Sequence, residues 1–364
     1  MAVAVMFFCG VSSANATSIN FGATAEKTKI GDAVWSNYGG GYHDIVVDGS
    51  DVYVPYLDNV GPSEYLLRLG TSHDDGVTWG KSTVIARLSA YSDTYLISVG
   101  TYQSNKVIHM AWDAWDPTLG KQVFYYANSL NGWTPVTADG GFPVIGYAKS
   151  MAVDSSGIVH LAFAGGNGFL YYTKSSDNGL TFDYPTTITN VNGGEPSIGV
   201  DSQGNVYAAW INGCTGGIYF SKLAGTQWSQ PLQVTSKAAC NGVSLVVKDS
   251  NNIYIGWAYQ EGVYVIGTSD GGTTWPSLPH TVTTPGGGDA ASLVLASNGA
   301  LNIAWGTPTG VYFSRSTNNG STWTNPIYVM KTEGFPNMAV DAAGKVNIVD
   351  SNSTLGAFYF TKEK

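Results

Sequence analysis

The stretch TSHDDGVTWG, Thr71 to Gly80, places His73, Asp74, Asp75 and Trp79 within ten residues. In a single copy such a cluster would suit acid–base work or a metal site. The frame recurs, however, as SSDNGLTF from Ser175, TSDGGTTW from Thr268 and STNNGSTW from Ser316. Its aspartate is replaced by Asn318 in the last copy, and the reduced forms NSLNGW and AGTQW keep only Trp133 and Trp228. A reacting carboxylate is not so dispensable, so the frame belongs to the architecture. Acid–base chemistry falls instead to residues that do not repeat: Glu195, Asp289 and His43. Two carboxyls flanking a bond can hydrolyse a glycoside, and a histidine titrates near neutrality. Whether residues 43, 195 and 289 meet depends on the elements that carry them.

Those elements repeat. From Ser150 and again from Ser197 the chain reads as strand, Asp-containing turn, strand ending in an aromatic, Gly-rich loop, strand, turn and aromatic. The second strand of this unit recurs as VYVPY, IHMAW, VHLAF, VYAAW, IYIGW, LNIAW and VNIVD, each alternating as a half-buried strand does. The seventh unit ends one strand short, and TKIGDAVWSN, before the first complete unit, can supply it. Four-stranded antiparallel units arranged radially make a β-propeller, and adding an N-terminal strand to the last unit removes two unpaired edges. The expectation is an all-β, seven-bladed propeller in a single domain over 17–364, with six blades as the alternative because blade 2 is least regular. In register, the repeated frame falls between third and fourth strands. There Asp74, Asp177 and Asp270 accept turn N–H groups, and Gly76, Gly179, Gly272 and Gly320 suit positive φ.

Composition agrees. Of 364 residues, 46 are glycine, 22 tyrosine, 13 phenylalanine and 11 tryptophan, and charged residues make up only 12%. With 26 acidic against 17 basic residues the net charge is −9, the wrong sign for a polyanion, which excludes nucleic acid as a favoured partner. The opening MAVAVMFFCGVSSANA resembles a secretory leader cleaved after Ala16, without a basic start, and predicts export. No segment is long and apolar enough to insert the mature chain in a bilayer. Cys214 and Cys240 would then remain as an even pair in an oxidising compartment, in a blade 4 loop and the connector entering blade 5, and a disulfide is expected.

The repeated Ser/Thr-x-Asp-x-Gly-x-Thr/Ser-Trp frame resembles the Asp-box (BNR) repeat of the sialidase superfamily, across essentially the whole mature chain. The resemblance implies a propeller and, in sialidases, three arginines on the substrate carboxylate, a Tyr/Glu pair and an acidic Asp. The chain has three arginines, Arg68, Arg87 and Arg315, and lacks an Arg-Ile-Pro-like motif. Arg315 precedes an Asp-box turn, at the wrong end of its blade, so a true sialidase site is not expected.

Propeller ligands bind on the face made by the inter-blade connectors and the loops between second and third strands. Here the connectors offer Tyr42, His43, Asp44, Asp93, Tyr95, Tyr147, Lys149, Glu195, Asn241, Asp289 and Asn337. The loops offer Trp115 and Asp116 of WDAWDP, then Tyr259 and Glu261. Aromatic faces stack on sugar rings and carboxylates accept hydroxyl hydrogen bonds, so the partner expected is a glycan or polysaccharide, neutral in charge. His109 and His160 occupy a repeat position held elsewhere by Tyr or Asn and read as structural. Neither zinc nor calcium spacing is present, and no cofactor is expected. The leading expectation is an exported carbohydrate-binding protein. The alternatives are a glycoside hydrolase or polysaccharide lyase using Glu195, Asp289 or His43, and a structural or protein-binding propeller.

Overall fold

The computed structural model describes residues 19–21, 28–30, 44–90, 92, 94–139, 142, 148–190, 192–283, 288, 290–332, 336–352 and 357–364. The fold is a ring of seven antiparallel blades. Blade 1 comprises Val46–Asp48, Asp51–Gly61, Glu64–Ser72 and Thr83–Leu88, and blade 2 comprises Tyr95–Tyr102, Asn105–Asp116, Lys121–Asn128 and Val136–Thr137. Blade 2, the source of the six-blade alternative, is therefore complete. Blade 3 runs Ala148–Val153, Val159–Ala164, Leu170–Ser175 and Thr186–Thr189. Blade 4 runs Gly194–Val200, Val206–Ile211, Ile218–Ala224 and Leu232–Thr235, with a short extra pairing at Gln227–Trp228. Blade 5 is Ser244–Val247, Ile253–Tyr259, Gly262–Thr268 and His280–Thr283; blade 6 is Ala291–Leu295, Leu301–Thr307, Gly310–Ser316 and Ile327–Met330.

Blade 7 has Asn337–Val340, Val346–Asn352 and Ala357–Lys362, and its fourth strand is the N-terminal Thr28–Ile30, with Thr28 opposite Phe360 and Ile30 opposite Phe358. The two chain ends thus share one sheet. The first strands of successive blades touch one another all the way round, blade 7 against blade 1 included. Each junction between neighbouring blades holds its own apolar cluster, from Trp112 and Leu67 between blades 1 and 2 to Phe358 and Val54 between blades 7 and 1. The aromatic that ends the second strand anchors most of these clusters, and Trp112, Trp210, Trp257 and Trp305 are fully buried. His109 and His160 lie inside as well, bonded to the Tyr126 and Tyr172 hydroxyls, and burial holds the His109 ring down at about 4.

The Asp-box turns are built as the sequence implies. Asp74 accepts from the Thr78 N–H at 2.8 Å and the Thr78 hydroxyl at 2.6 Å, and Asp177 does the same with Thr181. Asn318 substitutes in blade 6 by accepting the Thr322 N–H at 2.9 Å and donating to its hydroxyl. The glycine has a second duty that local sequence does not reveal. A Cβ on Gly76, Gly179 or Gly272 would overlap the ring of Phe360, Tyr126 or Phe220, each from the third strand of the preceding blade. Those rings also meet the motif aromatic edge to face, as Tyr126 meets Phe182 at 5.2 Å between centroids. The turn is therefore a blade-to-blade joint.

Two substitutions separate conformation from contact. Gly49 also has positive φ (64°) but open space around it, so Gly49→Ala should cost about 1 kcal/mol from backbone strain alone. Gly179→Ala adds the clash with Tyr126 and should cost about 3 kcal/mol. Equal losses in denaturant unfolding would show that the aromatic joint contributes nothing.

Candidate functional site at the centre of the connector face

The start of each first strand sits where seven chains converge, and side chains there do the work of a sheet edge. The Asp44 carboxylate accepts the Ile97 N–H of blade 2 at 3.0 Å. Ser150 accepts Ile198 N–H of blade 4, Ser197 accepts Leu245 N–H of blade 5, Ser244 accepts Leu293 N–H of blade 6 and Ser292 accepts Met338 N–H of blade 7, at 2.9–3.2 Å. Repeat register puts Leu96 and Asn337 at the two remaining positions. Leu96 has no acceptor and packs instead into the apolar cluster between blades 2 and 3.

All seven of these residues line one cavity of about 250 Å³, together with Thr94, Glu195, Asn241 and Gly242. Every blade contributes to its wall. Two ionisable groups face it among the described residues, Asp44 and Glu195, and neither is cationic. Burial pushes the Asp44 carboxyl up to about 6, against the opposing effect of the Ile97 and Ile45 N–H bonds. Glu195 stands on a break in register between Gly194 and Ser197, and its φ of 49° is one that side-chain-bearing residues rarely adopt. At the equivalent position of blade 2, the Thr94 hydroxyl is buried and has no hydrogen-bond partner among the described residues.

The connector that carries Asn241 is pinned from two sides. Cys240 is bonded to Cys214 in the blade 4 loop, as expected, and the Trp257 indole donates to Ala238 O at 3.2 Å. Gly242, at φ 91°, then lies against the Glu195 side chain.

Of the residues expected on this face, Asp44, Glu195, Asn241 and Asn337 are brought together in the cavity. Tyr42, His43, Asp93, Tyr147 and Asp289 lie outside the described residues, as does the side chain of Lys149. Tyr95 corrects the expectation: it is only 2% exposed, in the cluster between blades 1 and 2. Strand alternation points Leu96 to the channel and Tyr95 to the core, so a one-residue difference in where the strand begins reverses the assignment. WDAWDP is corrected too. It continues the strand Asn105–Asp116 and is no loop; Trp112 and Asp113 are buried, with Asp113 satisfied by Gln122 and Ser92. Only its end, Trp115 and Asp116, reaches a surface, in a separate cleft between blades 1 and 2. Tyr259 and Glu261 form the tip of a blade 5 hairpin, Glu261 paired with Lys237, and line neither cavity.

Sequence reasoning missed Thr94 and the serine ring. The signal was present, since SMAV, SIGV, SLVV and SLVL open four first strands with the same residue.

The three arginines do not assemble a site. Arg68 pairs with Asp58, Arg87 with Glu64, and Arg315 with Glu363, the last near the Asp-box end of blade 6. Arg87 lies within the fourth strand of blade 1.

No protein-family model matches the sequence, and no curated protein matches it either. Solved structures do. The intramolecular trans-sialidase from Ruminococcus gnavus, in complex with oseltamivir carboxylate, aligns over 93% of this chain and 96% of its own at 11% identity, with a TM-score of 0.52. This chain has the sialidase-like propeller fold. The NanB sialidase from Streptococcus pneumoniae aligns at 11% identity over 94% of this chain and 70% of its own, with a TM-score of 0.51. A protein of unknown function from Dyadobacter fermentans aligns at 13% identity over 94% and 98%, also at 0.51. At these identities the sialidase-like propeller likeness concerns the fold alone.

The raised Asp44 carboxyl makes a pH prediction with a definite sign. A group whose folded value (about 6) exceeds its unfolded value (3.8) adds stability that is complete below the latter and is lost as pH rises through the former. Asp44→Ser, which installs the residue used in four other blades, removes that dependence. The stability of the variant relative to wild type should therefore improve between pH 4 and 7, by an amount on the order of 2 kcal/mol. A difference that is flat with pH would contradict the burial assigned to this carboxyl.

Proposed function

We propose that the protein is an exported carbohydrate-binding propeller that holds a neutral glycan at the central cavity. The lining carries this reading: carboxyl, amide and hydroxyl groups face the cavity, and no described cation does. Sugar hydroxyls complement such acceptors, whereas an anionic ligand would meet Asp44 and Glu195 with no counter-charge. The disulfide, at home in an oxidising compartment, and the leader-like start of the sequence support export.

A second reading, a glycoside hydrolase or polysaccharide lyase on this face, is favoured by one observation. Glu195 is held in a strained conformation at the cavity wall while burial raises Asp44 toward neutrality, and two carboxyls in unlike environments are what an acid and a base require. In this second reading Asp289 and His43 remain further candidates.

A glycan array with a reducing-sugar release assay distinguishes the two. Binding without turnover is expected, with Glu195→Gln weakening binding about tenfold, the size of one lost charged hydrogen bond. Turnover abolished in Glu195→Gln would establish the second reading. Undiminished binding in both Glu195→Gln and Asn241→Ala would remove the cavity as the site.

A further inference from the structure

The geometry points to a second saccharide subsite in the cleft between blades 1 and 2, so that the ligand is a glycan chain engaged at two places; this rests on the central cavity being the first. The cleft encloses about 380 Å³ and is lined by Arg87 of blade 1 and by Trp115, Asp116 and Tyr125 of blade 2. Trp115 is 46% exposed, the largest aromatic surface left uncovered on a tryptophan among the described residues. It stands at the end of a strand, opposite Gln122, and is held there by its neighbour. The Asp116 carboxylate caps the turn through the Thr118 and Leu119 N–H groups at 2.8 and 3.1 Å, and its other oxygen accepts the Tyr125 hydroxyl at 2.8 Å. Tyr125 in turn stacks on the buried Trp112 at 6.0 Å. The strand end that carries the indole is thus held before any ligand arrives, which spares the ordering cost a mobile loop would incur.

Around that platform are groups of both hydrogen-bonding kinds. The Arg87 guanidinium, paired with Glu64, supplies donors, and the carboxylates supply acceptors. A flat apolar surface ringed by donors and acceptors fits one sugar ring, whose C–H face stacks while its hydroxyls bond. A protein partner would need a far larger apolar area than one indole.

The cleft and the cavity also share an end of the same strands. Tyr95 pairs with Trp112, which lines the cleft, and Leu96, which lines the cavity, follows Tyr95 directly. One saccharide chain lying on this face can reach both, and joining the two sites multiplies affinity without a new contact.

The test titrates the full mature chain calorimetrically with glucose, mannose and xylose and with the β-1,4-linked hexaoses of each. Wild type should bind a hexaose at least tenfold tighter than its monosaccharide. Trp115→Ala, at an exposed position, should abolish that gain and remove one of two monosaccharide sites, while Glu195→Gln weakens the other and the hexaose alike. Hexaose binding unaffected by Trp115→Ala overturns the cleft alone. Hexaose binding sensitive to Trp115→Ala and indifferent to Glu195→Gln supports the cleft and overturns the cavity, and no binding of any probe by wild type overturns both.

Discussion

The innermost strand of a propeller blade has an edge with no sheet partner, and its N–H groups face the central channel. Buried donors left unpaired there would cost more than a marginally stable fold can lose. In five of the seven blades the chain meets this constraint with a side-chain acceptor, Asp44, Ser150, Ser197, Ser244 or Ser292, directed at the N–H of a neighbouring blade. Serine serves in four places because it is small and its hydroxyl sits close to the backbone. The one clearly apolar member, Leu96, trades a hydrogen bond for burial against blade 3. The polarity of the central cavity is thus partly a by-product of closing the ring. What sets the cavity apart from a plain channel mouth is the pair of groups outside that duty: Glu195 on its bulge and Asn241 on a pinned connector.

The two faces divide the labour. On the Asp-box face the turns of blades 1, 3 and 5 are nearly identical, because each seats an aromatic ring of the preceding blade under a glycine. Ion pairs between blades reinforce that face, as where Lys106 of blade 2 meets Asp48 and Asp51 of blade 1, and Lys362 of blade 7 meets Asp75 of blade 1. The connectors differ from blade to blade in sequence, which leaves them to carry a site. The disulfide between Cys214 and Cys240 lies on the connector side, where ladder hydrogen bonds do not reach.

Much of this was legible in the sequence. The blade repeat, the closure by TKI, the structural place of His109 and His160 and the pairing of the two cysteines all follow from local pattern and register. The candidate site was legible in part, and the failures have physical causes. Tyr95 was assigned to the rim because a strand boundary is poorly marked, and a shift of one residue turns a side chain from channel to core. Trp112 and Asp113 read as loop because acidic residues before Pro117 resemble a turn, whereas Gln122 and Ser92 satisfy the aspartate inside. The bulge at Glu195 and the ring contacts above the Asp-box glycines have no local signature, since both arise from what a neighbouring blade brings near.

The central claim is that ligand binding belongs to the mouth of the channel at the connector face. The most direct measurement is a crystal structure of the protein with a neutral oligosaccharide bound. A sugar ring in the central cavity, hydrogen-bonded to Glu195 and Asn241, is the predicted result. A ligand bound only among the Asp-box turns at the other end of the blades would contradict it.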